Sequence, residues 1–276
     1  MKKIIDSVDG ENSVFYSIIE GRKLGFYLTK KLAKTFFDYL EKGIVVDFEV
    51  TGKRKKINNQ WLYQVAFFHK IESMYPKHVY YDLEALRAEM RNVLGNYEYY
   101  LFIDFEMTMP GYQQRKFTSE IIQVGYVLAK AQSKILVKDG YYIKPKLTDT
   151  LSKRTLKFLK IENENFEKNA IDYKIFYKKL KHIIHKYQPK LVVWGKNDIT
   201  ALNDSYAVHQ KEALTDVNDF IDLLKLHKDY YNLKDDLGLF KAYKTYYESN
   251  DLQIHDAFDD AKVTKFVFDA FLEQMK

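Results

Sequence analysis

Residues 101–108 read LFIDFEMT, an apolar run that ends in two acids one residue apart. Such a run reads as a buried strand, and in a strand residues i and i+2 project to the same side. Asp104 and Glu106 therefore aim both carboxylates at one place. A buried carboxylate costs several kcal/mol unless it is paired, hydrogen-bonded or bound to a cation. Two like charges on one spot ask for something positive between them: a metal ion, an arginine or a lysine.

Downstream of this strand the pattern predicts two more, in SEIIQVGYVLAK (119–130) and KILVKDGYYIKP (134–145). Helical spacing follows around 151–159 and 173–187, then a buried strand KLVVWG (190–195) and a helix from Asp198 to about His209. VNDFIDL (217–223) reads as a short strand or its start, and DDLGLFKAY and DAFDDAKVTKFVFDAFLEQ close the chain as helices. Three strands and then alternating helix and strand predict an α/β layer fold, with a mixed sheet that starts antiparallel and becomes parallel.

Upstream, residues 13–73 read as β-rich. SVFYSIIE, KLGFYLT, IVVDFEV and WLYQVAFFHKIE are strand candidates, and KKLAKTFFDYLEKG is a helix stopped by Gly43. This predicts a small β-rich module over 1–78, a barrel resembling the oligonucleotide-binding fold or a docking domain. A helical linker is expected over 79–97, where Leu83, Leu86, Met90 and Leu94 recur at helical spacing, and the acid-bearing domain over 98–276. The module carries no catalytic constellation. Its basic run Lys53, Arg54, Lys55, Lys56, close before Trp61 and Tyr63, reads either as a path for single-stranded nucleic acid or as a solvated hairpin loop.

Composition narrows the chemistry. At 46% hydrophobic and 30% charged residues over 276 positions, the chain has ample material for packed cores. The absence of cysteine excludes disulfides, thiolate nucleophiles and Cys-ligated zinc. Any metal must be held by oxygen or imidazole, which points to Mg²⁺ or Mn²⁺. A formal charge of +6 is compatible with a polyanionic partner. No apolar stretch reaches the ~18 residues of a membrane span, and the N-terminus lacks the apolar core of a signal peptide, so a cytoplasmic protein without membrane contact is expected.

Function in an α/β sheet gathers at strand ends. Besides Asp104 and Glu106, Asp198 falls just past a buried strand, and HDAFDDA (255–261) places His255 at the start of the last helix with Asp260 about one turn in. Taken singly, each has a plainer reading: Asp198 as a helix cap, His255 as a surface or capping histidine, Asp259 or Asp260 as a solvated acid. Their joint occurrence, each at an element end, would let four acids hold two divalent ions while His255 serves as general base for attack of water on a phosphodiester.

In this order the motifs FIDFEMT, WGKNDITAL and HDAFDDA resemble the DEDDh branch of the 3′→5′ exonucleases, the group containing RNase T and the proofreading subunit of DNA polymerase III. The resemblance covers residues 98–276, and the third motif fits the family form H-x-A-x-x-D-A, selecting Asp260 over Asp259. It implies a ribonuclease H-like fold, Asp104, Glu106, Asp198 and Asp260 as metal ligands for two Mg²⁺ or Mn²⁺ ions, and His255 as the base. It also implies that Phe105, Met107 and Thr108 meet the terminal nucleotide. Phe105 between the acids, the segment 142–161 and Trp194-Gly195 look more like the Eri-type exoribonucleases, although Leu159-Lys160-Ile161 departs from their Leu-Thr-Gly-Ile element. The expected partner is thus a single-stranded RNA or DNA 3′ end, RNA favoured. A DNA exonuclease of repair or proofreading type, a catalytically silent nucleic-acid-binding protein and an adaptor acting through the first module are the alternatives.

Overall fold

The computed structural model describes residues 1–111, 117–233, 235–248 and 256–275. The chain divides into two compact units, 1–89 and 90–276. No helix among the described residues is long and apolar enough to cross a membrane.

In the first unit, β1 (Lys2–Ile4) and β2 (Ser7–Asp9) are two halves of one bent stretch. They are followed by β3 (Val14–Ile19), β4 (Arg22–Tyr27), α1 (Lys30–Phe36), β5 (Val45–Ile57), β6 (Gln60–Met74) and β7 (Lys77–Asp82). The sheet order is β1-β5-β6-β4-β3-β2, with β7 on β6. Between the two halves, the Ile5 N–H donates to Ile44 on one side and the Asp6 N–H to Tyr16 on the other, both at 2.8 Å. The sheet therefore closes on itself through this bend. Counting β1 and β2 as one strand gives the order 1-2-3-5-4-1 with a helix between the third and fourth strands, the connectivity of an oligonucleotide-binding barrel. Its core is a nest of phenylalanines: Phe15, Phe26, Phe48 and Phe68 are buried, with ring centroids 4.9–6.2 Å apart.

The stretch 79–97, read from sequence as a helical linker, is divided between two elements. Val79–Asp82 end β7, where Tyr81 pairs with Ile71 and sets its ring 4.8 Å from Phe36, so these residues belong to the first unit's sheet. The helix, α2, starts only at Leu83 and runs to Gly95.

The second unit contains β8 (Tyr100–Met107), β9 (Ile121–Ala129), β10 (Ile135–Tyr142), α3 (Lys153–Leu159), α4 (Asn163–Asn169), α5 (Tyr173–Tyr187), β11 (Lys190–Val193), α6 (Asn197–Val208), β12 (Phe220–Asp222), α7 (Leu223–Tyr230), α8 (Leu239–Tyr246) and α9 (Ala257–Gln274). The order is β10-β9-β8-β11-β12, antiparallel as far as β8 and parallel beyond it. This is the mixed sheet with flanking helices expected from the alternation of elements. β9 is buried along its whole length because both faces are covered. Leu101, Ile103 and Phe105 of β8 pack on the side of α5 and α6. Tyr100 and Phe102 pack on the side of α9, where Phe268 and Phe271 meet them.

Period-two alternation thus assigns Asp104 and Glu106 to the α9 side, and glycines let that helix approach. Asp104 pairs with Gly125 and Gly125 with Gly140, a row across three strands. A Cβ on Gly125 would lie 2.1 Å from Phe258 N and 2.2 Å from the Ala257 carbonyl, so the first turn of α9 rests directly on the strand. A Cβ on Gly140 would instead meet the Phe258 side chain, at 2.8 Å. Gly125→Ala is therefore expected to lift α9, destabilise the unit by about 1–3 kcal/mol and remove activity. Gly140→Ala is expected to lower the melting temperature less, since a side chain yields more readily than a backbone; equal losses would contradict the close backbone approach.

Candidate active site

β11 runs parallel to β8 only as far as Phe102, so the β8 edge beyond it has lost its strand partner. The first turn of α6 fills the gap: Asp198 Oδ1 accepts the Phe105 N–H at 3.0 Å. Asp198 is 6% exposed, and this bond holds its carboxylate beside β8. From the other direction α9 delivers Asp260, 7% exposed. One carboxylate oxygen each from Asp104, Glu106 and Asp260 lies within 4.8 Å of the others.

The start of α9 is itself pinned. Asp256 Oδ1 accepts the N–H groups of Phe258 and Asp259 at 3.0 and 3.1 Å, an N-cap. Its Oδ2 accepts Gln123 Nε2 at 2.7 Å. Gln123 is buried on β9 and pairs with Glu106, so one cross-strand neighbour of the site also positions the helix that carries Asp260. The loop after β8 is held in the same way. The Met109 N–H donates to Thr155 Oγ1 and Ser152 Oγ to the Met109 carbonyl, tying the loop to the start of α3.

The acids are held in a strained electrostatic state. Burial, then the Asp198, Asp260, Glu106 and Asp256 carboxylates, push Asp104 well above the usual carboxylate range. Glu106 is raised to about 8 by burial and by the acids around it. Asp198 rises to about 7 through burial, against the lowering effect of the Phe105 N–H. Asp260 rises to about 7 through burial and then Asp256 and Asp259. Among the described residues, the charged neighbours with the largest effect on these four groups are themselves acids, and no arginine or lysine pairs with any of the four. The buried Oδ1 of Asp260 has no hydrogen-bond partner among the described residues. Converging oxygen ligands with one carboxylate oxygen unsatisfied fit a hard divalent cation such as Mg²⁺ or Mn²⁺.

Asp104, Glu106 and Asp260 thus converge as the sequence predicts, with Asp198 alongside. His255 lies outside the described residues. Two of the three residues expected to meet a substrate do not offer their side chains. Phe105 is 3% exposed and packs on Phe176 on the opposite face of the sheet, because it alternates with the acids. Thr108 is buried, and its Oγ1 accepts the Glu120 N–H at 2.9 Å where the chain enters β9. Met107 is half-buried against the same core as Phe105. Gln123 and Asp256 are not among the residues that the three motifs single out. The sequence signal for Asp256 is an acid immediately before an apolar-periodic run, the N-cap pattern.

A family model described as Exonuclease, RNase T, matches residues 101–268. The chain belongs to the RNase T exonuclease family. It is therefore a nuclease, and the resemblance to the DEDDh exonucleases read from the three acidic motifs holds. A probable 3′-5′ exonuclease of Bacillus subtilis, KapD, is 28% identical over 178 residues, 64% of this chain and 85% of that protein. The nuclease domain of 3′hExo, a DEDDh member solved bound to rAMP, superposes with a TM-score of 0.58 at 20% identity, covering 64% of this chain and 93% of that one. Cell-death related nuclease 4 (CRN-4) gives 0.54 at 18%, covering 64% of each. In both, the likeness is that of the family fold.

In the absence of cations the raised acids make stability fall with pH. Their folded pKa values exceed the ~4 of an unfolded carboxylate, so the folded state binds more protons between about pH 4 and pH 8 and loses stability as they leave. In EDTA the melting temperature of this unit is expected to fall from pH 6 to pH 8. Asp104→Asn is expected to raise it at pH 8 by roughly 2–4 °C for each kcal/mol of repulsion removed, and to abolish the increase that Mg²⁺ gives the wild type. A variant less stable than wild type in EDTA at pH 8 would contradict this electrostatic picture.

Proposed function

We propose that this exonuclease removes nucleotides one at a time from single-stranded 3′ ends, RNA ahead of DNA. The observation that carries the proposal is the convergence of Asp104, Glu106 and Asp260 on one point, with Asp198 fixed beside them by the Phe105 N–H. Asp104, Glu106, Asp198 and Asp260 would hold two divalent cations, which when bound supply positive charge for the attacking and leaving oxygens of an in-line displacement. The 3′→5′ polarity agrees with the name of KapD. The preference for RNA rests on the motif features around Phe105, Trp194 and residues 142–161.

The chain's own groups then have these tasks. His255, next in sequence to the cap Asp256, takes the proton of the attacking water. The water oxygen bonds to phosphorus as the P–O3′ bond breaks, the leaving 3′ oxygen takes a proton from solvent, and a nucleoside 5′-monophosphate is released. Gln123 and Asp256 keep the start of α9 against the sheet, so that Asp260 stays in place. Met107, half-buried at the end of β8, contacts the terminal nucleotide with the part of its side chain that stays exposed. Phe105 supports it from behind and does not stack on the base.

Matched single-stranded RNA and DNA carrying a 5′ label, with Mg²⁺ or Mn²⁺, test the proposal. A one-nucleotide ladder from the 3′ end is expected, faster on RNA, lost in EDTA and reduced at least about a hundredfold in Asp104→Ala. His255→Ala is expected to lose about 10²–10⁴-fold, and wild-type activity to rise through the neutral range, as an imidazole near pKa 6.5 requires. Faster trimming of DNA would reverse the substrate order. Binding of both strands without shortening would leave a silent binding protein.

A further inference from the structure

We propose that the arm formed by β5 and β6 in the first unit is a binding surface for single-stranded nucleic acid, separate from the acidic centre. Barrel connectivity assigns no ligand by itself; the residues on the arm do. After Val50 the pairing of β5 with β6 breaks and resumes at Arg54, leaving Thr51, Gly52 and Lys53 in an irregularity of the kind that bends and twists a strand. From there Arg54–Ile57 pair with Gln60–Tyr63 around a turn in which Asn58 and Asn59 both have positive φ, 46° and 64°. Two such residues match the right-handed twist of a tight hairpin, so the arm is an ordered ribbon.

The ribbon is strongly one-signed. Lys53, Arg54, Lys55 and Lys56 are all exposed. Between Glu49 and Glu72 the sequence contains no acid at all. Among the described residues none of the four cations has an ion-pair partner, whereas Lys23 on the neighbouring strand pairs with Asp6. Four adjacent like charges repel one another, and an anionic partner would relieve that cost.

Cross-strand register places aromatic rings among these charges. Arg54 faces Tyr63 and Lys56 faces Trp61, so all four share one face of the ribbon. The inner rung is anchored: the Tyr63 ring reaches Phe26 of the barrel core, and the Arg54 guanidinium lies 4.7 Å over it. One rung further out, Trp61 is 59% exposed. An exposed indole has a use on a single strand, whose unpaired bases stack on it while cations meet the phosphates. A duplex hides its bases and would engage only the charges. Each rung sets one cation across from one ring, as each nucleotide of a single strand carries one phosphate and one base.

The test uses the full chain in EDTA, where no hydrolysis intervenes, and follows fluorescence anisotropy of a labelled 20-nucleotide single strand and its duplex. Replacing Lys53, Arg54, Lys55 and Lys56 together by Ala is expected to weaken single-strand binding at least about tenfold. It should also flatten the salt dependence by about 0.7 in log–log slope for each phosphate that is no longer neutralised. Trp61→Ala is expected to cost about 5- to 150-fold, while Trp61→Phe keeps most of the affinity and controls for folding. Hydrolysis of a dinucleotide with Mg²⁺ is expected to be unchanged in all three, so failure of the arm and failure of the exonuclease reading give different results. Wild-type affinity in both the quadruple and the Trp61→Ala variants would overturn the proposal. So would equal binding of duplex and single strand with no effect of Trp61→Ala, which would mean adhesion by charge alone.

Discussion

The cost of crowding four carboxylates, two buried and two half-buried, at one edge of a sheet governs the architecture of the second unit. The pairing of Asp104 with Gly125 and the backbone of α9 lying on that glycine bring Asp260 into the repulsion. The short β11 leaves the Phe105 N–H for Asp198. Each of these features crowds another carboxylate onto the same edge. A divalent charge shared among the acids would offset that repulsion, and Asp260 Oδ1, which has no hydrogen-bond partner among the described residues, would be open to it.

Positioning groups are consequently as much a part of the site as the acids. Gln123 and Asp256 form one bond across two elements that are 133 residues apart in sequence. Through that bond, the strand opposite Glu106 sets the start of the helix bearing Asp260. Glu120 does similar work at the entrance of β9, accepting the N–H groups of Lys146 and Leu147 while its own N–H goes to Thr108. The acids therefore sit on regular elements, and the loops around them are tied by buried polar side chains, which favours a preorganised centre.

Much of this is legible from residues 101–106, because strict alternation separates the core face from the acid face, and from the three motifs that bring the remaining acids to element ends. The same alternation decides for Phe105 that it is core. What the sequence hides, it hides for identifiable reasons. α4 reads NENFEKN, where Phe166 is the single apolar anchor and no periodicity can develop. α7 follows β12 directly, so the apolar run Ile221, Leu223, Leu224, Leu226 blurs strand into helix. β7 has four exposed residues followed by two half-buried ones and so lacks an alternating face; it is held by its ladder with β6. The need for glycine at 125 depends on a helix more than 130 residues downstream, which no local pattern reports.

The most direct measurement is proton release on cation binding. Metal-free protein would be titrated calorimetrically with Mn²⁺ at pH 7 in two buffers of different ionisation enthalpy. With Glu106 near 8 and Asp198 and Asp260 near 7, part of the acid set is protonated before the ion arrives, so binding is expected to expel protons. The heat should therefore depend on the buffer, and Asp260→Asn should reduce both the release and the number of ions bound. Tight binding with identical heats in both buffers would mean that the acids are already ionised without the ion. The central claim, that a divalent charge is what allows these carboxylates to crowd one edge, would then be wrong.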